Sequence, residues 1–100
     1  MAGRGVVRLN DYSTGHDCWP SRPSIQGSPD YFVDNRPVVR VGDAWATHCC
    51  THRGNDCHDG IQAEGSPTFF VNNRPIARIH DLISCGDHCR DHSETFFVDY

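Results

Sequence analysis

The chain contains no lysine: its nine basic side chains are all arginine, set against thirteen carboxylates for a formal charge of −4. A nucleic-acid-binding surface needs a concentrated positive stripe, so that class of partner is excluded as the main role. Arginine in place of lysine suits fixed, bidentate hydrogen bonds, and several of the nine are expected to be internal ties. Apolar residues are scarce as well, at 37% of 100 residues. No apolar run reaches signal-peptide or transmembrane length, so the chain is expected to be made in a reducing compartment. Nor does any long stretch repeat its apolar residues every 3.6 positions, which excludes a helical bundle and points to an all-β fold. A domain of this size buries only about 60–65% of the surface its unfolded chain exposes, so its core is marginal. A covalent or metal staple is therefore expected, and six cysteines and seven histidines are the material for it.

What the chain does have is one phrase used three times. Gly27-Ser-Pro-Asp-Tyr-Phe-Val-Asp-Asn-Arg-Pro-Val-Val-Arg-Val-Gly-Asp43 returns almost unchanged from Gly65 to Asp81. Its second half also stands at Arg4 to Asp11 and its first half at Ser93 to Asp99. In each full copy a bulky strand (Tyr31 to Val33, Thr68 to Val71) meets a reversal at Asx-Asn-Arg-Pro. A returning strand (Val38 to Val41, Ile76 to Ile79) follows, which makes a hairpin. The two half-copies leave unpaired apolar edges unless they pair with each other, so a third hairpin is expected to close across the termini. The result is one domain, residues 1–100, with approximate repeats at 4–35, 36–73 and 74–100 and pseudo-threefold character. The tracts from Tyr12 to Gln26, Ala44 to Gly60 and Leu82 to His92 read as loops, with Trp45 available to pack under the hairpins.

The loops hold the ligand-type residues. His16 stands five residues after Asp11, His48 five after Asp43 and Cys85 four after Asp81. Equivalent positions in a threefold arrangement converge on its axis, so three ligands arrive from three loops. His58 is chosen to complete a tetrahedral site, with His52 and Cys57 as rivals for that place. Three imidazoles and a thiolate suit Zn²⁺. In a reducing setting, clustered cysteine and histidine favour metal over disulfides. Cys18, Cys49, Cys50, Cys57 and Cys89 accordingly read as buried or inert thiols. Disulfides formed in an oxidising space, or a second site around Cys89 and His92, are the alternatives. A zinc hydrolase is the rival from another functional class, and would need an open coordination position beside a carboxylate such as Asp17, Asp59 or Asp87.

Pro37-Val-Val-Arg40 and Pro75-Ile-Ala-Arg78, with the Asx-Asn-Arg turn before them and an aspartate after, resemble the PAAR-repeat family over essentially the whole chain. Three departures stand out: neither copy has the Ala-Ala pair, Gly5 replaces proline, and His92-Ser-Glu94 replaces Gly-Ser-Pro. The resemblance implies a small cone with zinc near its vertex and a broad base that caps a trimeric β-helical spike. The setting would be a type VI secretion system or a contractile phage tail. It also implies a monomer, one tip per spike trimer, assembled in the bacterial cytoplasm and delivered outward at the tail baseplate or secretion apparatus. Contact with the target membrane would be transient, turnover absent, and any effector cargo a separate chain.

Overall fold

The computed structural model describes residues 3–100, except for the side chain of Arg53. Among these residues the secondary structure is all β apart from one short 3₁₀ turn. Three of the strand pairs come from the repeated phrase. β2 (Phe32–Val33) pairs antiparallel with β3 (Arg36–Pro37), and β6 (Phe70–Val71) pairs with β7 (Arg74–Pro75) in the same register. β1 (Arg4–Gly5) pairs with β8 (Phe97–Val98), so the two half-copies close into a third hairpin across the termini. Asp34, Asn35, Asn72 and Asn73 all have φ between 54° and 64°. Two consecutive residues at positive φ make the tight primed turn whose twist matches the flanking strands, and Asx residues tolerate it.

Pairing starts earlier than the sequence reading has it. Arg36 and Pro37 already lie in the returning strand; Val38 still donates to the Tyr31 carbonyl while bridging to Arg8, and Val39 and Arg40 leave the hairpin to join the other copies. Val7 N–H donates to the carbonyl of Ala77, Ala77 N–H to that of Val39, and Val39 N–H to that of Val7, at 2.8–2.9 Å. These three bonds form a closed ring about a pseudo-threefold axis. Successive residues of an extended segment face opposite ways, so the ring separates two cores. On one side lie Val6, Val38 and Ile76 with Val33, Val71 and Val98. Tyr31, Phe69 and Phe96 pack against them edge to face, with centroids 5.5–6.4 Å apart. On the other side lie Val7, Val39 and Ala77 with Trp45, Ile83 and Cys89.

Six of the nine arginines tie this scaffold together. Arg8, Arg40 and Arg78 each fork onto the aspartate three residues on, Asp11, Asp43 and Asp81, all of which are buried. Each of those aspartates also accepts from an arginine of the adjacent copy: Asp11 from Arg36, Asp43 from Arg74 and Asp81 from Arg4. Bidentate guanidinium pairs of this kind fix geometry as well as charge.

The middle tract is not a loop. β4 (Ala44–Cys50) and β5 (Asp56–Ile61) form the longest hairpin of the molecule, closed by the turn Thr51–Arg53. Most of β5 is solvent-exposed, so its polar residues need no alternating apolar pattern to be a strand. Trp45 anchors the hairpin in the second core, 1% exposed, with its indole N–H on Gln62. A second correction concerns the thiols read as inert: Cys18 is bonded to Cys50 and Cys49 to Cys57, leaving Cys85 and Cys89 free.

Candidate metal centre

Three segments deliver side chains to one point beside the second core. The first is a tight reversal, where His16 and Trp19 exchange both backbone hydrogen bonds and Asp17 takes φ of 52° between them. The second is the β4–β5 hairpin, on which His48 and His58 are direct cross-strand partners and so face the same side. The third is the turn from Ile83 to Asp87, closed by Ile83 N–H on the Asp87 carbonyl and Gly86 N–H on that of Ile83. Cys85 sits at its apex and packs against the second core.

The ligand atoms of His16, His48, His58 and Cys85 all lie within 4.8 Å of one another. His58 Nε2 is 3.1 Å from His16 Nε2 and 2.7 Å from His48 Nε2. His48 Nδ1 is 2.7 Å from the carbonyl oxygen of Pro20, which can only accept, so Nδ1 carries the hydrogen and Nε2 presents a lone pair. Burial holds the His48 pKa below the usual histidine value, outweighing the hydrogen bond to Pro20. His48 is thus a neutral, oriented imidazole before any ion binds. Convergent imidazole nitrogens share at most one hydrogen at each contact, whereas a cation at their centre satisfies every lone pair. The donor set of three imidazoles and one thiol fits a tetrahedral metal ion.

A supporting layer holds these groups in place. Arg22 is buried between the loops and donates to Cys85 Sγ at 3.3 Å, to the Ala46 carbonyl at 2.9 Å and to Asp87 at 2.6 Å. Its guanidinium hydrogen-bonds the Cys85 sulfur, and its other bonds keep it aimed. Asp87 is fully buried and also accepts from Thr14 and from the His88 amide. Burial pushes the Asp87 carboxyl up, but Ser13, Thr14, the His88 amide and Arg22 together hold it below the usual carboxylate value. Gly60 leaves the room for this arrangement: a Cβ there would stand 2.4 Å from Arg22 Nη2 and 3.4 Å from Cys85 Sγ. Trp19 covers the imidazoles from outside, stacked on His16 at 5.2 Å and tilted against His58 at 4.8 Å between centroids.

The three residues chosen from register, His16, His48 and Cys85, and the fourth choice, His58, are therefore brought together, and the two rivals are not. His52 lies exposed in the turn Thr51–Arg53, and the sulfur of Cys57 is committed to Cys49. No second site forms around Cys89 and His92: Cys89 is buried, bonded to Gln62, with its pKa raised to about 12 by burial. His92 faces Ser93 and Phe97 instead. Two of the three carboxylates named for a hydrolase are otherwise placed, Asp87 paired with Arg22 and Asp59 exposed with Thr47 on its oxygen. Arg22 and Trp19 were not singled out in the sequence. The signal for Arg22 was its place between Pro20 and Pro23, a charge in a stiffened loop beside His16.

A family model, the PAAR motif, matches residues 2–89. The chain belongs to the PAAR-motif family. A search of curated proteins finds no match. The matched span contains both full phrase copies and all four residues of the PAAR chain's cluster.

Proposed function

We propose that this PAAR chain is the sharp tip of a contractile injection machine, seated on the blunt end of a trimeric β-helical spike and helping to pierce a target envelope. The observation that carries this reading is the closed ring of Val7, Val39 and Ala77, with the threefold set of hairpins around it. A single chain with three nearly equivalent edges can sit on a true threefold axis and meet three identical partner chains alike. Its own end is then unique, so one tip serves one trimer. The aromatic core of Tyr31, Phe69 and Phe96, with Phe32 and Phe70 each 54% exposed nearby, lies across the ring from the metal cluster and suits the seated face.

At the opposite end, the His16, His48, His58 and Cys85 cluster holds Zn²⁺ as a structural crosslink. Such a site can contribute on the order of 10 kcal/mol to folding, comparable to the whole net stability of a small domain. That strength suits a point that is driven through an envelope. The role is mechanical: four protein ligands fill a tetrahedral ion and leave no position for a reactive water, which disfavours the hydrolase reading. We place assembly in the bacterial cytoplasm, with delivery outward on the spike.

The test is stoichiometry. Mixed with a trimeric spike and measured by light scattering, the chain is expected to give one tip per three spike chains, and a one-to-one ratio contradicts capping. Purified alone, it is expected to carry about one zinc per monomer, lowered with the melting temperature in His16→Ala and Cys85→Ala.

A further inference from the structure

The six thiols are sorted into three roles by position. Cys89 is enclosed in the second core against Gln62. Cys85 faces Arg22 and the imidazoles. The other four stand in pairs within two residues of the histidines: Cys18 after His16, Cys49 and Cys50 after His48, and Cys57 before His58. Their disulfides join the histidine-bearing segments to each other. Cys18–Cys50 links the His16 reversal to β4, and Cys49–Cys57 crosses between β4 and β5 beside the His48–His58 pair. Three of the four ligands therefore belong to one covalent collar. Only Cys85 is held by hydrogen bonding and packing alone.

We propose that the two disulfides are a redox latch on the metal apex, which exchanges its ion when the chain is reduced and retains it when the chain is oxidised. This rests on the reading of the cluster as a metal site in a tip that starts in a reducing space. In the reduced chain, soft thiolates adjacent to each imidazole compete for the same ion. Cys49 and Cys57 point to the face of the hairpin opposite His48 and His58, so they reach the ion only if the strands turn over. Joining them to each other removes both the competing ligands and the freedom to turn. The collar also limits how far His16 can swing from His48, and ion release by stepwise ligand departure is slowed.

Exchange begins at the outer pair, because Cys57 is exposed and Cys49 half-buried, whereas Cys50 is fully buried. A low-molecular-weight disulfide of the oxidised-glutathione class is the oxidant. One cysteine thiolate attacks it, forming a mixed disulfide and expelling one small thiolate. The partner cysteine thiolate then attacks the protein sulfur and expels the second. Each protein disulfide thus yields two electrons and two protons, which leave on two small thiols.

The full chain loaded with zinc is prepared oxidised, with oxidised glutathione, and reduced, with a phosphine. Zinc transfer to a chromogenic chelator is timed, and disulfides are mapped by mass spectrometry. Expected is one ion in each form, released at least about tenfold more slowly from the oxidised chain. Oxidised Cys49→Ser/Cys57→Ser is expected to release faster than oxidised wild type. Equal release from both wild-type forms, with one ion bound in each, overturns the latch and leaves the metal site standing. No zinc in either form overturns the metal reading and the latch with it. The wild-type comparison stands on its own if the double variant does not fold.

Discussion

In the phrase-built half of the molecule Arg8, Arg40 and Arg78 do the same thing three times, whereas in the loop half no two segments do the same thing. The first half repeats its turn, its serine knot and its arginine fork because each copy must satisfy the same backbone groups. Ser28, Ser66 and Ser93, for example, each accept from the amides two and three residues on. The loop half breaks the repeat with a short reversal, a long hairpin and a tight turn, and supplies one, two and one ligands from them respectively. Symmetry builds the platform, and departures from symmetry carry the chemistry.

The widest separation between the halves is expected on metal removal. Chelating the ion from the reduced chain should lower unfolding free energy by an amount on the order of 10 kcal/mol or unfold the chain outright. In any surviving folded population, hydrogen exchange should show lost protection around His16, His48 and Cys85 and retained protection at Val7, Val39 and Ala77. Protection lost equally in both halves would erase the distinction.

A smaller effect is expected within the platform. Asp43→Ala leaves buried Arg40 without its fork and also removes the acceptor of Arg74, which should cost about 3–5 kcal/mol in chemical denaturation. Zinc content in the remaining folded chain should not change, because Asp43 is not one of the clustered ligands.

The third edge sharpens the comparison further, since there the platform itself departs from the repeat. A Cβ at Gly27 or Gly65 would meet Pro37 or Pro75 at 2.8 Å, while one at Gly5 would meet His92 at 2.1 Å. Small and large have changed places: His92 stands where the phrase has glycine, and Gly5 where it has proline. Gly5→Pro alone is expected to destabilise, and Gly5→Pro/His92→Gly to recover part of the loss, with a coupling of about 1–3 kcal/mol in a double-mutant cycle. Additive effects would mean that the exchange is not compensated.

The mildest test is acid. Thr95 and Ser93 hydroxyls, with Arg8, hold the Asp34 carboxyl below its usual value. Asp99 is held down too, with burial opposing and Thr68, Ser66 and Arg78 prevailing. A depressed folded pKa contributes stability above the unfolded value of about 3.9 that is lost as pH falls through the folded one. The two edges with Asp34 on Arg8 and Asp99 on Arg78 should therefore loosen at the arginine contact below about pH 4; on the third edge Arg40 meets Asn72, which does not titrate, and the carboxylate held down there is Asp30, by Asn72 and Ser28. Side-chain NMR signals of the three edges, followed from neutral to acid pH, would show this asymmetry.

The platform was legible in the sequence because its determinants are local. Asx-Asn reversals, β-branched runs and the cut phrase at the two ends specify the hairpins and their closure. His16, His48 and Cys85 were legible through register alone, since equivalent positions about an axis must converge. The β4–β5 hairpin was not, because an exposed strand such as β5 needs no alternation, and its ligand-rich residues look like loop. The disulfides were hidden for a related reason. Whether Cys49 reaches Cys57 depends on the strand register, and Cys18 meets Cys50 only after the first loop has folded onto that hairpin. Arg22 with Asp87 is a long-range pair, with nothing local in either segment to announce the other.

The most direct test of the central claim is X-ray absorption at the zinc edge on the intact chain. The account predicts three nitrogen scatterers near about 2.0–2.1 Å and one sulfur near about 2.3 Å. A shell without sulfur, with two or more sulfurs, or with a water oxygen in place of a protein ligand would contradict it.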